Sequence, residues 1–359
     1  MKLAKRAFSM TILAVTLLAL ALSPAPAQAK EYKITIAAGH PPIFLWVALA
    51  RDFFIPEVDK RLAAAGGQDK IVWNQAWGGT VAKLAGELAA IESGVADMGF
   101  VSTLFEAPKM PLHNVTYMTP FGSSDIFTIV SVIGDLQARI PAMKQEWAKH
   151  KTVYLGGAAL DTYGLLTNFP VNTVDDLKGR KIAAPGPAAN WIKGTGAVAV
   201  AGNLNTYYND IKTGVYEGTL TFMTAAAAAK LQEVAPYICM VNFGAQFAGG
   251  LAVNKDVWDG FSPAVQKVLI EVGQEYNKKL AQAQTERAAK SIDLMVKGGA
   301  KLVRLSDAER KRWADKLPNV PMEWAKTMDG KGLPGTQVVK GLLDGLRKSG
   351  AKLARDWDK

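Results

Sequence analysis

Apolar and polar residues alternate through Tyr32, Ile34 and Ile36, a period of two that predicts a strand. The loop Gly39-His40-Pro41-Pro42 follows, and Ile43 to Phe54 reads as a largely buried helix. A second strand is expected from Ile71 to Trp77. Leu84, Leu88 and Ile91 then recur at helical spacing, Gly94 can close that helix, and Met98 to Val101 supplies a third apolar strand. The β-α-β-α-β order builds a parallel sheet with helices on both faces. In such a sheet ligands lie beyond the carboxyl ends of the strands, here at His40, Trp77 and Ser102-Thr103.

A second set of elements begins near Lys151, with strands expected at Val153–Leu155, Leu165–Asn168 and Lys181–Ala184. Thr173 and Asp176 form a capping-box pattern before a short helical turn that Gly179 ends. Asn205 or Thr206 is placed to cap Tyr207 to Lys212; Leu220 and Phe222 then alternate as a strand, and the alanines from 225 to 229 resume helix. From Ser262 to Val296 the pattern is helical throughout, with Val265, Val268, Leu269, Val272, Tyr276 and Leu280 on one stripe and Gly298-Gly299 beyond its end. Such a helix reaches about 50 Å, long enough to brace two lobes. No repeat of 20 to 50 residues is visible, which argues against solenoids and propellers.

Composition narrows the setting. Lys2, Lys5 and Arg6, the apolar run from Met10 to Leu22 and the small residues Ala27-Gln28-Ala29 have the form of a cleaved signal peptide, with mature protein starting at Lys30. An exported, periplasmic protein without membrane insertion is expected. The remaining 330 residues exceed the usual size of one core, so two lobes are expected. With those three cations removed, the charge excess over 32 acids falls to seven, scattered over helices instead of forming a nucleic-acid footprint. Cys239 is the only cysteine, so an internal disulfide is impossible.

Four segments carry a family resemblance: AKLAGELAAIESGVADMGFVS (82–102), NFPVNTVDDLKGRKIAAPG (168–186), YNDIKTGVYEG (208–218) and LAVNKDVWDGFSPAVQKVL (251–269). In this order they resemble the substrate-binding proteins of tripartite ATP-independent periplasmic (TRAP) transporters, the dicarboxylate-binding family. The resemblance implies an α/β fold: a two-lobe periplasmic-binding-protein clamp with twisted mixed sheets, strands crossing twice between lobes, and the long helix bracing both. Residues 30–160 plus 249–288 would form one lobe, and 161–248 plus 289–359 the other. It implies capture of a small organic acid and its delivery, unaltered, to integral-membrane TRAP permease subunits; no cofactor, no metal-ligating residue and no nucleic-acid partner is singled out.

Two departures bear on the ligand. Ala183 stands where the family's carboxylate-gripping arginine is expected, and Gly164 where a second arginine often occurs. An unpaired buried carboxylate is costly, so the ligand is either neutral or held by donors elsewhere. Polar candidates are His40, Thr103, Tyr163, Asn168, Asn190, Tyr207 and Tyr208; aromatic candidates are Trp77, Trp191, Phe222 and Phe247. Flat apolar walls favour an aromatic or bulky apolar acid over succinate-like diacids.

Rival classes are a periplasmic ligand sensor, which would use the same clamp, and an exported enzyme. Neither HExxH nor GxSxG occurs, and three histidines are few for a metal centre. Gly194-Thr195-Gly196 with Ala199 imitates a dinucleotide turn, yet the NWIK before it reads as a helix end where the fingerprint requires a strand. Asp175-Asp176 reads as helix-start charge, His113 and His150 as surface or core residues, and Asn114-Val115-Thr116 as a chance sequon.

Overall fold

The computed structural model describes residues 30–65 and 69–359; the expected signal peptide lies outside them. Among the described residues eleven strands form two sheets. The first contains β1 (Glu31–Ala37), β2 (Lys70–Ala76), β3 (Met98–Ser102), β4 (Thr152–Leu160) and β10 (Gln246–Asn254), in the order β2-β1-β3-β10-β4. β1 pairs in parallel with β2 and β3, whereas β10 runs antiparallel to both β3 and β4. The second holds β5 (Tyr163–Thr167), β6 (Lys181–Ala183), β7 (Val198–Val200), β8 (Gly218–Phe222), β9 (Tyr237–Met240) and β11 (Lys301–Arg304), in the order β11-β9-β5-β8-β6-β7. β5 is antiparallel to both its neighbours, so this sheet is mixed as well.

The chain passes between the sheets three times: from β4 to β5, from β9 back to β10, and through the helix Pro263–Lys297 to β11. That helix, 35 residues long, begins where the Ser262 hydroxyl accepts the Val265 amide and stops at Gly298. It packs on β4 of the first sheet and on the helix Met223–Ala228 beside the second. Its contact with β4 is backbone to backbone, because a Cβ on Gly156 would lie 2.1 Å from the Gly273 carbonyl oxygen. At the first crossing, buried Asp161 accepts the Met223 and Thr224 amides and the Thr224 hydroxyl, which lies 2.6 Å from the Gln284 side-chain oxygen of the long helix.

Several elements depart from their sequence reading. The first helix does not stop near Phe54: a π-helical stretch, Ala50–Phe54, precedes Ile55–Ala64, so the chain carries Pro56 in the first turn of the next helical segment, where its missing N–H costs nothing. The helix expected from Leu84 begins only at Glu87, because Ala85 sits at φ +61°. β4 runs to Leu160, five residues past its expected end. The Thr173 capping box forms, with Asp176 accepting the Thr173 amide at 2.8 Å. Thr206, in contrast, caps Tyr207–Lys212 without a side-chain hydrogen bond. Gly194 and Gly196 take positive φ after the 3-10 helix Gly186–Ile192, ending that helix instead of opening a nucleotide turn. Near the carboxyl end, Val320–Asp329 packs on Val115–Met118, and Gly335–Lys348 on Ile126–Arg139. Trp357, fully buried, donates to the Pro120 carbonyl.

Candidate functional site

The carboxyl ends of β1 and β3 meet the start of β5 and the end of β8 around a narrow cavity of about 40 Å³. From the first sheet's side come His40, Trp46, Phe100, Ser102, Phe105 and Ala248; from the second, Tyr163, Pro185, Leu204, Tyr207, Thr221 and Phe222, with Tyr117 beside them. Strand alternation decides which residues reach it. Tyr163 lines the cavity and Gly164 faces away; Phe100 and Ser102 line it while Val101 between them does not, and at the end of β8 both Thr221 and Phe222 reach it.

Rings form most of the wall. His40 stands edge-on to Phe44 and Trp46, at 5.5 and 5.1 Å between centroids, and Trp46 tilts against Phe222 at 5.9 Å. On the other side Tyr117 meets Tyr163 edge-on, their hydroxyls 3.0 Å apart. One hydroxyl donates to the other, so the second can donate into the cavity.

The polar groups are few and neutral. Both ring nitrogens of His40, Ser102 Oγ and the adjacent Thr103 Oγ1 are buried without hydrogen-bond partners. Burial pushes the His40 pKa down to about 3, so its imidazole is uncharged at pH 7. Neither lysine nor arginine lines the cavity. Behind the wall sits Glu87, 1% exposed, whose two carboxylate oxygens accept the Gly39 and Ser102 amides at 2.7 Å each. This one side chain ties together the exits of β1 and β3. Burial raises its pKa to about 7 in spite of those hydrogen bonds. Asp161, adjoining Leu160 of the wall, is raised by burial to about 6.

The two halves touch at the cavity mouth. Asn205, which precedes the N-cap Thr206, reaches across instead: its Nδ2 donates to the Gly39 carbonyl at 3.1 Å. Gly186, at φ +48°, approaches so closely that a Cβ there would lie 2.6 Å from the Leu104 carbonyl oxygen. The cavity is therefore held in a closed arrangement.

Of the residues singled out from sequence, the structure gathers His40, Tyr163, Tyr207 and Phe222 at the cavity and places the others elsewhere. Thr103 is one residue past the lining Ser102. Trp191 forms a second layer, stacked on Tyr117 at 5.8 Å with its indole N–H donating to the Tyr117 carbonyl. Phe247 turns toward His113. Asn190 donates to Pro187 O within its own 3-10 helix, and Trp77 bonds Gln75 outside the cavity. Tyr208 is half-buried outside the cavity and donates to Glu233, being about 100° around the helix from Tyr207. Asn168 lies exposed beyond the far end of β5, about 16 Å along the strand from Tyr163. Sequence reasoning did not single out Trp46, Phe100, Phe105, Tyr117 or Glu87.

Other candidates fall into structural roles. His113 is fully buried between Glu146, Gln137 and Trp147. Asn114, also fully buried, donates to the Thr103 and Met110 carbonyls, so its sequon is inaccessible. Asp175 pairs with Arg312 and Lys316 on the surface. Among the described residues no cluster of three or more His, Cys, Asp or Glu could hold a metal ion, and no single helix is long and apolar enough to cross a membrane.

The sequence model of the bacterial extracellular solute-binding proteins, family 7 (DctP), matches residues 78–327. The chain belongs to this family. A solute-binding protein of Albidiferax ferrireducens is 30% identical over 149 residues, 41% of this chain and 44% of that protein. The chain spans about half the length of the curated relatives it matches. Among solved structures, a TRAP solute-binding protein from Rhodoferax ferrireducens with copurified benzoate superposes with a TM-score of 0.79 at 16% identity, covering 89% of this chain and 98% of that one. A TRAP periplasmic solute-binding protein from Bordetella bronchiseptica with bound (R)- and (S)-mandelate gives 0.74 at 21%, covering 88% and 99%. These likenesses agree with the two-sheet clamp seen here. The family members are receptors for solutes, extracytoplasmic by description, and the four sequence segments quoted above lie wholly or largely within the matched span.

Proposed function

We propose that this protein is the solute-capturing subunit of a TRAP transporter, closing on one small aromatic organic acid and passing it unaltered to membrane permease subunits. One observation carries the choice of solute: a closed interlobe cavity walled by Trp46, Phe100, Phe105, Tyr117, Tyr163 and Phe222, with no lysine or arginine among its lining residues. A diacid would bring two charges into this space with no cation to meet them, at a cost of several kcal/mol per ion. A single ring gains area burial, and each stacked pair adds about 0.5–1.5 kcal/mol.

The sites of the two absent arginines fit this picture. Gly164 has no room for a side chain, since a Cβ would sit 2.9 Å from the Cys239 carbonyl oxygen. Ala183 is packed with Tyr207 and Tyr216 in a separate core cluster. The benzoate and mandelate held by the two structural neighbours are of the same chemical class. The matched family is one of solute-binding proteins, and capture without chemistry is the reading taken.

A thermal-shift screen tests the proposal. Benzoate-like or cinnamate-like acids should raise the melting temperature, by an amount that grows with the logarithm of ligand excess. Stabilisation by succinate or malate, with none by the aromatic acids, would remove it.

A further inference from the structure

The cavity's charge balance has a consequence for how an acid enters it. His40 is the only basic group in the lining, it is 3% exposed, and both its nitrogens lack partners. Every other titratable group facing it is an acid or a phenol. Glu87 holds the Gly39 amide immediately before it, Glu106 lies buried beside Phe105, and Asp161 adjoins Leu160. Tyr117, Tyr163 and Tyr207, which also line the space, are all pushed by burial above the ordinary phenol range. The nearby cations do not compensate: Lys83 is exposed, Lys109 is exposed and pairs with Glu106, and Arg287 lines a separate groove on the other side of Phe44 and Trp46.

A carboxylate placed here would thus add a second buried negative charge near Glu87 with only neutral donors around it. Such a charge is removed most cheaply by a proton from solvent. Resting on the reading of the site as a receptor for an aromatic acid, we infer that the solute is taken up together with one proton, held between its carboxylate and His40. The bound pair then has the same net charge whether the proton sits on the acid or on the imidazole. His40, with two unpaired nitrogens, can accept from a carboxylic acid or donate to a carboxylate. Ser102 Oγ at the end of β3 and Thr103 Oγ1 in the 3-10 turn after it are unpaired, and the former lines the cavity as a further donor.

Titration calorimetry of the ligand-free full chain with benzoate at pH 7, in buffers of different ionisation heat, tests this. Uptake of one proton per benzoate is expected, with the dissociation constant rising about tenfold from pH 6.5 to 7.5. Benzoate binding with no proton uptake and a dissociation constant flat over that range would overturn the inference while leaving the aromatic-acid reading intact. Benzamide, which has no carboxylate, should bind without proton uptake. Uptake with benzamide as well, or benzoate-linked uptake that disappears in Glu87→Gln, would place the proton on Glu87 and overturn the assignment to His40. Failure of benzoate to bind, with succinate binding instead, would remove the aromatic-acid reading, and this inference would fall with it.

Discussion

Phe105 stands half-buried on the cavity wall, tilted over His40 at 6.2 Å. Replacing it with alanine should weaken benzoate about tenfold, near the upper end of a single ring contact, with only a small change in the melting temperature of the free protein. Calorimetry and a melt of the same sample check both. Glu87 makes a second residue-level prediction. Its pKa rises from 4.5 when unfolded to about 7 when folded, so the folded state binds more protons between those values and stability falls as pH rises through that window. Asp161 acts in the same direction between 3.8 and about 6. The melting temperature should therefore drop between pH 5 and 7.5, and Glu87→Gln should flatten the drop, while leaving one of the two amides it now satisfies unpaired. What sequence could and could not show at this scale follows from geometry. Phe222 was legible as the end of a predicted strand, and His40 and Tyr163 as residues on the loops that the family resemblance turns toward the cleft. Trp46 and Tyr117 were not, since a ring lining a cavity and a ring filling a core leave the same trace in an apolar segment. Glu87 is one acid within a helical stretch and carries no signal of its own, and only the fold aims it at two strand ends.

At the scale of elements, the mouth of the cavity is made by two short connections: the 3-10 helix Gly186–Ile192 and the loop before Tyr207. Gly186→Ala would put a methyl group against the Leu104 carbonyl and strain a left-handed backbone, costing about 1 kcal/mol in the free protein. Closure would suffer more than folding. Benzoate affinity should fall more than tenfold with a modest loss of melting temperature, a split that calorimetry and melting curves resolve. Asn205→Ala, which loses a single interlobe hydrogen bond, should weaken binding a few-fold. Strands and the long helix were readable from periodicity because each buries a regular face. The passage through Pro56 and the late start at Glu87 were not, since a π-helical stretch and a positive φ at Ala85 answer to packing that no local pattern records.

For the whole molecule, three covalent passages join the halves, so closing bends the connections near Asp161 and Ala245 and must also be accommodated by the long helix. Small-angle scattering should show a more compact particle with saturating benzoate than without; identical curves would mean that closure is complete before binding. The order of strands in the first sheet has one more implication. β10 fills the gap between β3 and β4, yet it is the last of the five to be made, after the second sheet's first five strands. A chain ending before residue 246 has an edge on each side of an empty place, and neither half can finish without the other. Synthesis must run past Asn254 before the first half has the strand that joins β3 to β4, so fragments cut at the apparent lobe boundary should be sticky and unfolded instead of behaving as two independent pieces.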